Sequence, residues 1–212
     1  MNATRTNLSR RSLVQWAIAA PITALAAPTL AGADPHLGQG GLTPDEALER
    51  LRQGNAAYAS DHPLPVNLGT GRRHALAGGQ TPFAILVSCS DSRLPPEMVF
   101  GCGLGELFTI RVAGNTIDTT ALGSIEYAVE HLGVPLVVVM GHERCGVVSA
   151  AADVVQNNTH YEGAVGAMLQ PIIPAVLAAR AADPGGELVD QSVRENVRQV
   201  LRFLRETASP EL

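Results

Sequence analysis

The stretch Phe83-Ala84-Ile85-Leu86-Val87-Ser88-Cys89-Ser90-Asp91-Ser92-Arg93 decides how this chain folds. Its first half is a short, nearly unbroken apolar run that gives way to a polar, turn-forming segment, the pattern of a strand buried on both faces. Leu136-Val137-Val138-Val139-Met140 repeats that pattern and runs into Gly141-His142-Glu143-Arg144-Cys145. Between them, Phe108 to Val112 reads as another strand and Thr119 to Leu132, closed by Gly133, as a helix. Apolar strands alternating with helices predict an α/β fold, a central and mainly parallel sheet flanked by helices.

In a parallel sheet the carboxyl ends of the strands point the same way. Cys89 and His142, 53 residues apart in sequence and each just past a strand, can therefore meet in one crevice. Cys145 follows His142 in the turn or first helical turn behind it. Two thiolates and an imidazole suit the borderline-soft Zn²⁺ ion, and three protein ligands leave a fourth position for water, which distinguishes a catalytic site from a closed structural one. Asp91 lies two residues beyond Cys89 and Arg93 two further on, so a guanidinium can hold the carboxylate in a bidentate pair. Held, Asp91 is free to take a proton at the site; released, it could become a fourth ligand and close it. A Cys89–Cys145 disulfide is the competing reading. Cys102 has no companion motif and reads as an idle, buried thiol.

Outward from this centre, Thr43-Pro44-Asp45-Glu46 supplies an N-cap, a Pro at the first helical position and a Glu at the third. The helix it opens carries Ala47, Leu48, Leu51 and Tyr58 on one stripe. His62 to Gln80, with three Pro or Gly pairs in its length, reads as loop. Pro95 and Pro96 start a short helical segment through Phe100, and long helical patterns cover about 162–182 and 188–207.

The chain has 212 residues, 46% of them hydrophobic, enough for one core-bearing domain. Its net charge is -5 and all of its basic residues are scattered Arg, with no Lys, which excludes a nucleic-acid footprint. Ser9-Arg10-Arg11-Ser12-Leu13-Val14-Gln15, an apolar stretch from Trp16 to Leu30, and Ala31-Gly32-Ala33 predict a twin-arginine export signal over residues 1–33. The apolar stretch is short and broken by Pro21 and Pro28, so no stable membrane span is expected once the signal is removed. Residues 34–42 read as a linker and 43–212 as the catalytic domain, exported to the periplasm or beyond. Without the leader the chain keeps 12 Arg against 20 acidic residues, a net charge of -8.

Taken in order, Cys89-Ser90-Asp91-Ser92-Arg93, Gly105-Glu106-Leu107-Phe108 through Arg111 to Gly114-Asn115, Ser124-Ile125-Glu126-Tyr127-Ala128-Val129 and Gly141-His142-Glu143-Arg144-Cys145-Gly146 resemble the β-class carbonic anhydrases. The resemblance spans about Leu48 to Ala151. It implies reversible hydration of carbon dioxide to bicarbonate and a proton, zinc held by Cys89, His142 and Cys145, an Asp91–Arg93 catalytic dyad, and a homodimer or homotetramer. Gln80 matches the substrate-orienting glutamine of the plant-like branch. Phe108 and Tyr127 match residues of the small apolar substrate pocket, beside Ala113 and Gly146, and in that branch some of these come from the neighbouring subunit. Family members usually continue past the last long helix into an edge strand, whereas this chain stops at Ser209-Pro210-Glu211-Leu212. A carbonyl sulfide or carbon disulfide substrate, or an inactive zinc-bearing binding protein lacking that strand, are the alternatives.

Overall fold

A computed structural model describes residues 41–207. The leader, most of the linker and the segment Ser209–Leu212 lie outside the described residues. The described part of the expected linker ends on Leu42, which packs against the core.

Helix α1, Pro44–Ala59, begins with the capping box its sequence spells: Thr43 Oγ1 accepts from the Glu46 N–H at 3.3 Å, and Glu46 Oε2 accepts from the Thr43 N–H at 2.8 Å. Its buried stripe is Ala47, Leu51 and Gly54, while Tyr58 stays 43% exposed, contrary to the pattern read from the sequence. The expected loop to Gln80 contains a short helix α2, Thr70–Ala75. This helix buries none of its residues and so shows no apolar period. It is held instead by polar contacts: Arg73 Nη1 donates to the Leu68 carbonyl at 2.7 Å and Arg72 Nε to the Leu104 carbonyl at 2.9 Å.

Strand β1, Ala84–Ser88, is buried at every position. It pairs in parallel with β2, Leu107–Arg111, on one side and with β3, Val137–Met140, on the other, giving the order β2-β1-β3. Successive β1 side chains enter opposite cores. Ala84 and Leu86 meet Ala47 and Leu51 of α1, whereas Ile85 and Val87 meet Ile125, Ala128, Val200 and Leu204 from helices further along the chain. Helix α3, Pro96–Val99, leads toward β2, and α4, Thr119–Leu132, toward β3. Asp118 caps α4 through the Ala121 N–H, and Gly133 closes it in the left-handed conformation, as its sequence position predicts.

Behind β3 come α5, Gly146–Asn157, α6, Gly163–Leu169, α7, Ile173–Ala182, and α8, Leu188–Thr207. The single helix expected over 162–182 is broken by a 3₁₀ turn at Gln170–Ile172, where Pro171 has no N–H to continue the ladder. By length and composition Gly163–Ala182 could cross a membrane. It is nonetheless interrupted by that turn, and Leu169, Ile172 and Val176 are core residues packed with α5 and α8.

One contact sets α1 close against the end of α3. A Cβ on Gly54 would stand 1.8 Å from the Phe100 carbonyl oxygen, a backbone atom that cannot step aside. Gly54→Ala is expected to cost about 1–3 kcal/mol in urea unfolding, as overpacking does. Gly123→Ala, on α4 with open space around it, should instead stabilise by about 0.5–1 kcal/mol.

Candidate metal centre

The register of the sheet delivers the site. Ser88, the last residue of β1, pairs with Arg111 on one side and Met140 on the other, so the three strands end at one level. Cys89 is the next residue after β1, Gly141-His142 the next two after β3, and Cys145 is the N-cap of α5. Gly141 lets β3 end close against α8, since a Cβ there would fall 2.8 Å from Val197 Cγ2 and 2.9 Å from Val193 Cγ1.

Cys89, His142 and Cys145 place their ligand atoms within 4.8 Å of one another. The two Sγ atoms are 4.0 Å apart, and all three cysteines of the chain are free, so the competing disulfide is not formed. Two thiolates tetrahedrally bound at about 2.3 Å to one metal would lie roughly 3.8 Å apart, close to that separation. His142 Nδ1 bonds the Glu143 carbonyl at 3.0 Å, which assigns the proton to Nδ1. Its Nε2 is buried and has no hydrogen-bond partner among the described residues. A ring nitrogen left with a bare lone pair beside two sulfurs fits a metal ion.

The thiols already divide their charge. The contact between the two sulfurs, with the Gly114 N–H at 3.3 Å, draws the Cys89 thiol well below its usual range, burial opposing. The same contact, with burial, pushes the Cys145 thiol up. Cys102, buried beneath α3, has its thiol pushed up to about 12 chiefly by burial, in keeping with an idle role.

Asp91 stands beside this set and outside it. Arg93 Nε donates to Asp91 Oδ1 at 2.8 Å and Nη2 to Oδ2 at 2.6 Å, while the Arg93 N–H adds a third bond to Oδ1 at 3.0 Å. These bonds hold the carboxyl well below the usual carboxylate range. Oδ2 remains 3.9 Å from His142 Nε2. Arg93 Nη2 also reaches the Arg144 carbonyl at 3.3 Å, tying the two ligand-bearing loops together.

Arg111 is a functional residue that sequence reading left without a role. Its Nε donates to the Cys89 carbonyl at 3.1 Å and its Nη2 to the Asp91 carbonyl at 2.6 Å, so the last residue of β2 clamps the backbone on both sides of Ser90. The signals for it were its place in the Gly105-to-Asn115 motif and its position as a charged residue ending an apolar strand.

Of the other residues singled out from sequence, Ala113 and Gly146 adjoin this centre and Gln80, Phe108 and Tyr127 do not. Ala113 precedes Gly114, whose N–H touches Cys89, and Gly146 follows Cys145 on the first turn of α5. Gln80, by contrast, is exposed and precedes β1. The strand between its end and Cys89 spans about 13 Å at 3.3 Å per residue. Phe108 pairs with Ile85 in the amino-terminal half of β2 and packs toward α4, and Tyr127 on α4 is 49% exposed, its ring 5.1 Å from that of His131.

A parallel α/β sheet carrying a Cys-His-Cys group at its carboxyl edge defines a class of metal-binding α/β protein. The comparisons with known proteins narrow it. The Carbonic anhydrase family profile matches residues 84–210. Carbonic anhydrase 2 of Mycobacterium tuberculosis is 37% identical over 166 residues, 78% of this chain and 79% of that protein, and the carbonic anhydrase of Mycolicibacterium smegmatis is 39% identical over 162 residues, 76% and 78%. Among solved structures, the β-carbonic anhydrase CafA of Aspergillus fumigatus shares 30% identity with a TM-score of 0.55 over 76% of this chain and 73% of that one. A tetrameric β-carbonic anhydrase of Sordaria macrospora shares 25% with a TM-score of 0.56 over 78% and 80%. The chain belongs to the β-class carbonic anhydrase family and is an enzyme of that family.

The charge division between the thiols has a measurable consequence. With one thiol of the pair lowered and the other raised, the pair should carry one proton near pH 8, so loading one Co²⁺ should release about one proton and the apparent affinity should rise about tenfold per pH unit. Calorimetric titration in buffers of different ionisation heat counts that proton. A count near two would show that both thiols are protonated in the free protein.

Proposed function

We propose that this enzyme reversibly hydrates carbon dioxide to bicarbonate and a proton at one zinc ion held by Cys89, His142 and Cys145. The observation that carries the reading is the Asp91 carboxylate, poised beside the three ligands and occupied by Arg93. Zinc bound there would supply a Lewis acid that lowers the pKa of water in the open position toward ~7.

The chain's own residues do the rest. Two thiolates offset the charge of the metal, so a group that accepts a hydrogen bond from the nucleophile has a defined task, and Asp91 is placed for it. Because Arg93 keeps that carboxyl ionised and weakly basic, Asp91 orients the nucleophile and passes its proton on rather than storing it. Arg93 also keeps the carboxylate off the metal position, which favours the open, plant-like arrangement. Ala113 offers a small apolar wall for carbon dioxide, and the Gly146 N–H at the start of α5 can hold a developing oxygen.

Asp91→Asn keeps the size of the side chain and removes its charge. It should lower kcat/KM for hydration by about 100-fold or more in stopped-flow assays while the zinc content is unchanged. Since Asp91 is ionised well below neutrality, the rise of rate with pH should survive in the residual activity.

Gln80 and Tyr127, exposed and away from the ligands of their own chain, together with Phe108, complete the pocket of a neighbouring subunit in a homodimer or homotetramer. Mixing refolded Gln80→Ala and Asp91→Asn chains should then restore about a quarter of native activity, the statistical share of intact sites in a two-fold assembly. No restoration would place Gln80 in its own chain's site. The Arg10-Arg11 leader supports export of the folded, metal-loaded protein. Replacing both arginines with lysine should retain it in the cytoplasm, as fractionation would record.

A further inference from the structure

One turn of α8 underlies both arms of the metal centre. Val193 and Val197 lie against Gly141, the residue before His142, and Val193 also belongs to the core that contains Cys89 and Cys145. Asn196 shares their helix face, as residues three and four apart do. It is buried, and its Nδ2 donates to the Gly114 carbonyl at 2.8 Å.

Gly114 is in turn the residue whose N–H donates to Cys89 Sγ at 3.3 Å. No strand pairing shapes the chain here, and Gly114 and Asn115 stand in succession in the left-handed region, at φ 75° and 47°. A Cβ at 114 would lie 2.6 Å from Ile172 Cδ1 and 3.3 Å from Val147 Cγ1, so apolar side chains press on the turn. Apolar contact is non-directional and leaves open which way the peptide groups point. The hydrogen bond from Asn196 is directional, and backbone in this region persists only where its surroundings fix it.

Taking Cys89 as a metal ligand, the reading on which this rests, the structure assigns Asn196 as a positioning residue of the metal centre: by holding the Gly114 carbonyl it keeps the Gly114 N–H aimed at Cys89 Sγ. A thiolate that accepts an N–H gives less of its charge to a metal, and such outer partners also hold a ligand in its orientation. Without the Asn196 amide the turn is free to swing its N–H away, leaving the sulfur richer in charge and less firmly placed.

Sulfur-to-metal charge transfer reads that charge. In the full chain loaded with Co²⁺ as a spectroscopic stand-in for zinc, the thiolate charge-transfer band should move to longer wavelength in Asn196→Leu, which keeps the bulk and removes the donor. Chelator competition should show Co²⁺ held at least tenfold more weakly. Asn196→Val makes the same test with a smaller side chain should the leucine variant not fold. Leu204→Ala opens a cavity further along α8, away from Gly114, and should leave both the band and the affinity at their native values. A band and affinity unchanged in the Asn196 variants, or moved as far by Leu204→Ala, would overturn the assignment and leave the metal reading standing. A native chain that shows no thiolate band with Co²⁺ would overturn the metal reading itself, and the role of Asn196 with it.

Discussion

Parallel pairing on both sides of β1 is the constraint on which the site depends. A strand buried at all five positions has no solvent face, so its alternate side chains must fill cores on both sides of the sheet. That requirement sets its register against β2 and β3. A slip of one residue would exchange Ile85 and Val87 with Ala84 and Leu86 and turn Cys89 to the wrong face. With the register set, Ser88, Arg111 and Met140 end level, and the residues that follow them are delivered together.

Beyond the strand ends the chain has no ladder to shape it, and polar side chains take over. Arg111 holds the carbonyls of Cys89 and Asp91, Arg93 reaches from Asp91 to the Arg144 carbonyl, and Asn196 holds Gly114. Asn115 and Arg144, both in the left-handed region at φ 47° and 53°, sit on these same turns. Backbone that most side chains avoid persists there because each turn is secured by a bond from a different element. The carboxylate that faces the metal position is thus kept in place by charge, while the sulfurs are kept in place by the fold.

Much of this was legible from the residues. The capping box of α1, the Asp118 cap and Gly133 stop of α4, and the apolar runs of β1 and β3 are local signals whose physics acts within a few residues. Helix α2 was not legible, because arginine bonds to distant carbonyls hold it and no apolar stripe announces it. The break at Gln170–Ile172 was hidden by a strong apolar pattern that continues through Pro171. Tyr58 follows the helical period of α1, yet the surface facing it ends one turn earlier, at Gly54.

The sequence by itself carried the Cys-His-Cys set, the adjacent Asp-Arg pair and the alternation of strand and helix, because each is written in contiguous residues or in the chemistry of a side chain. Only the tertiary structure decided that Cys89 and Cys145 stand 4.0 Å apart as free thiols, that Asp91 is taken by Arg93 beside the ligands, and that Arg111 and Asn196 brace the turns. It also decided that Gln80 lies at the far end of β1 from Cys89. Several of these are relations between residues far apart in the chain, 22 positions for Arg111 and Cys89, 56 for Cys89 and Cys145, and 82 for Asn196 and Gly114. Distances of that kind are set by strand register and helix packing, which act across the whole core rather than along the chain.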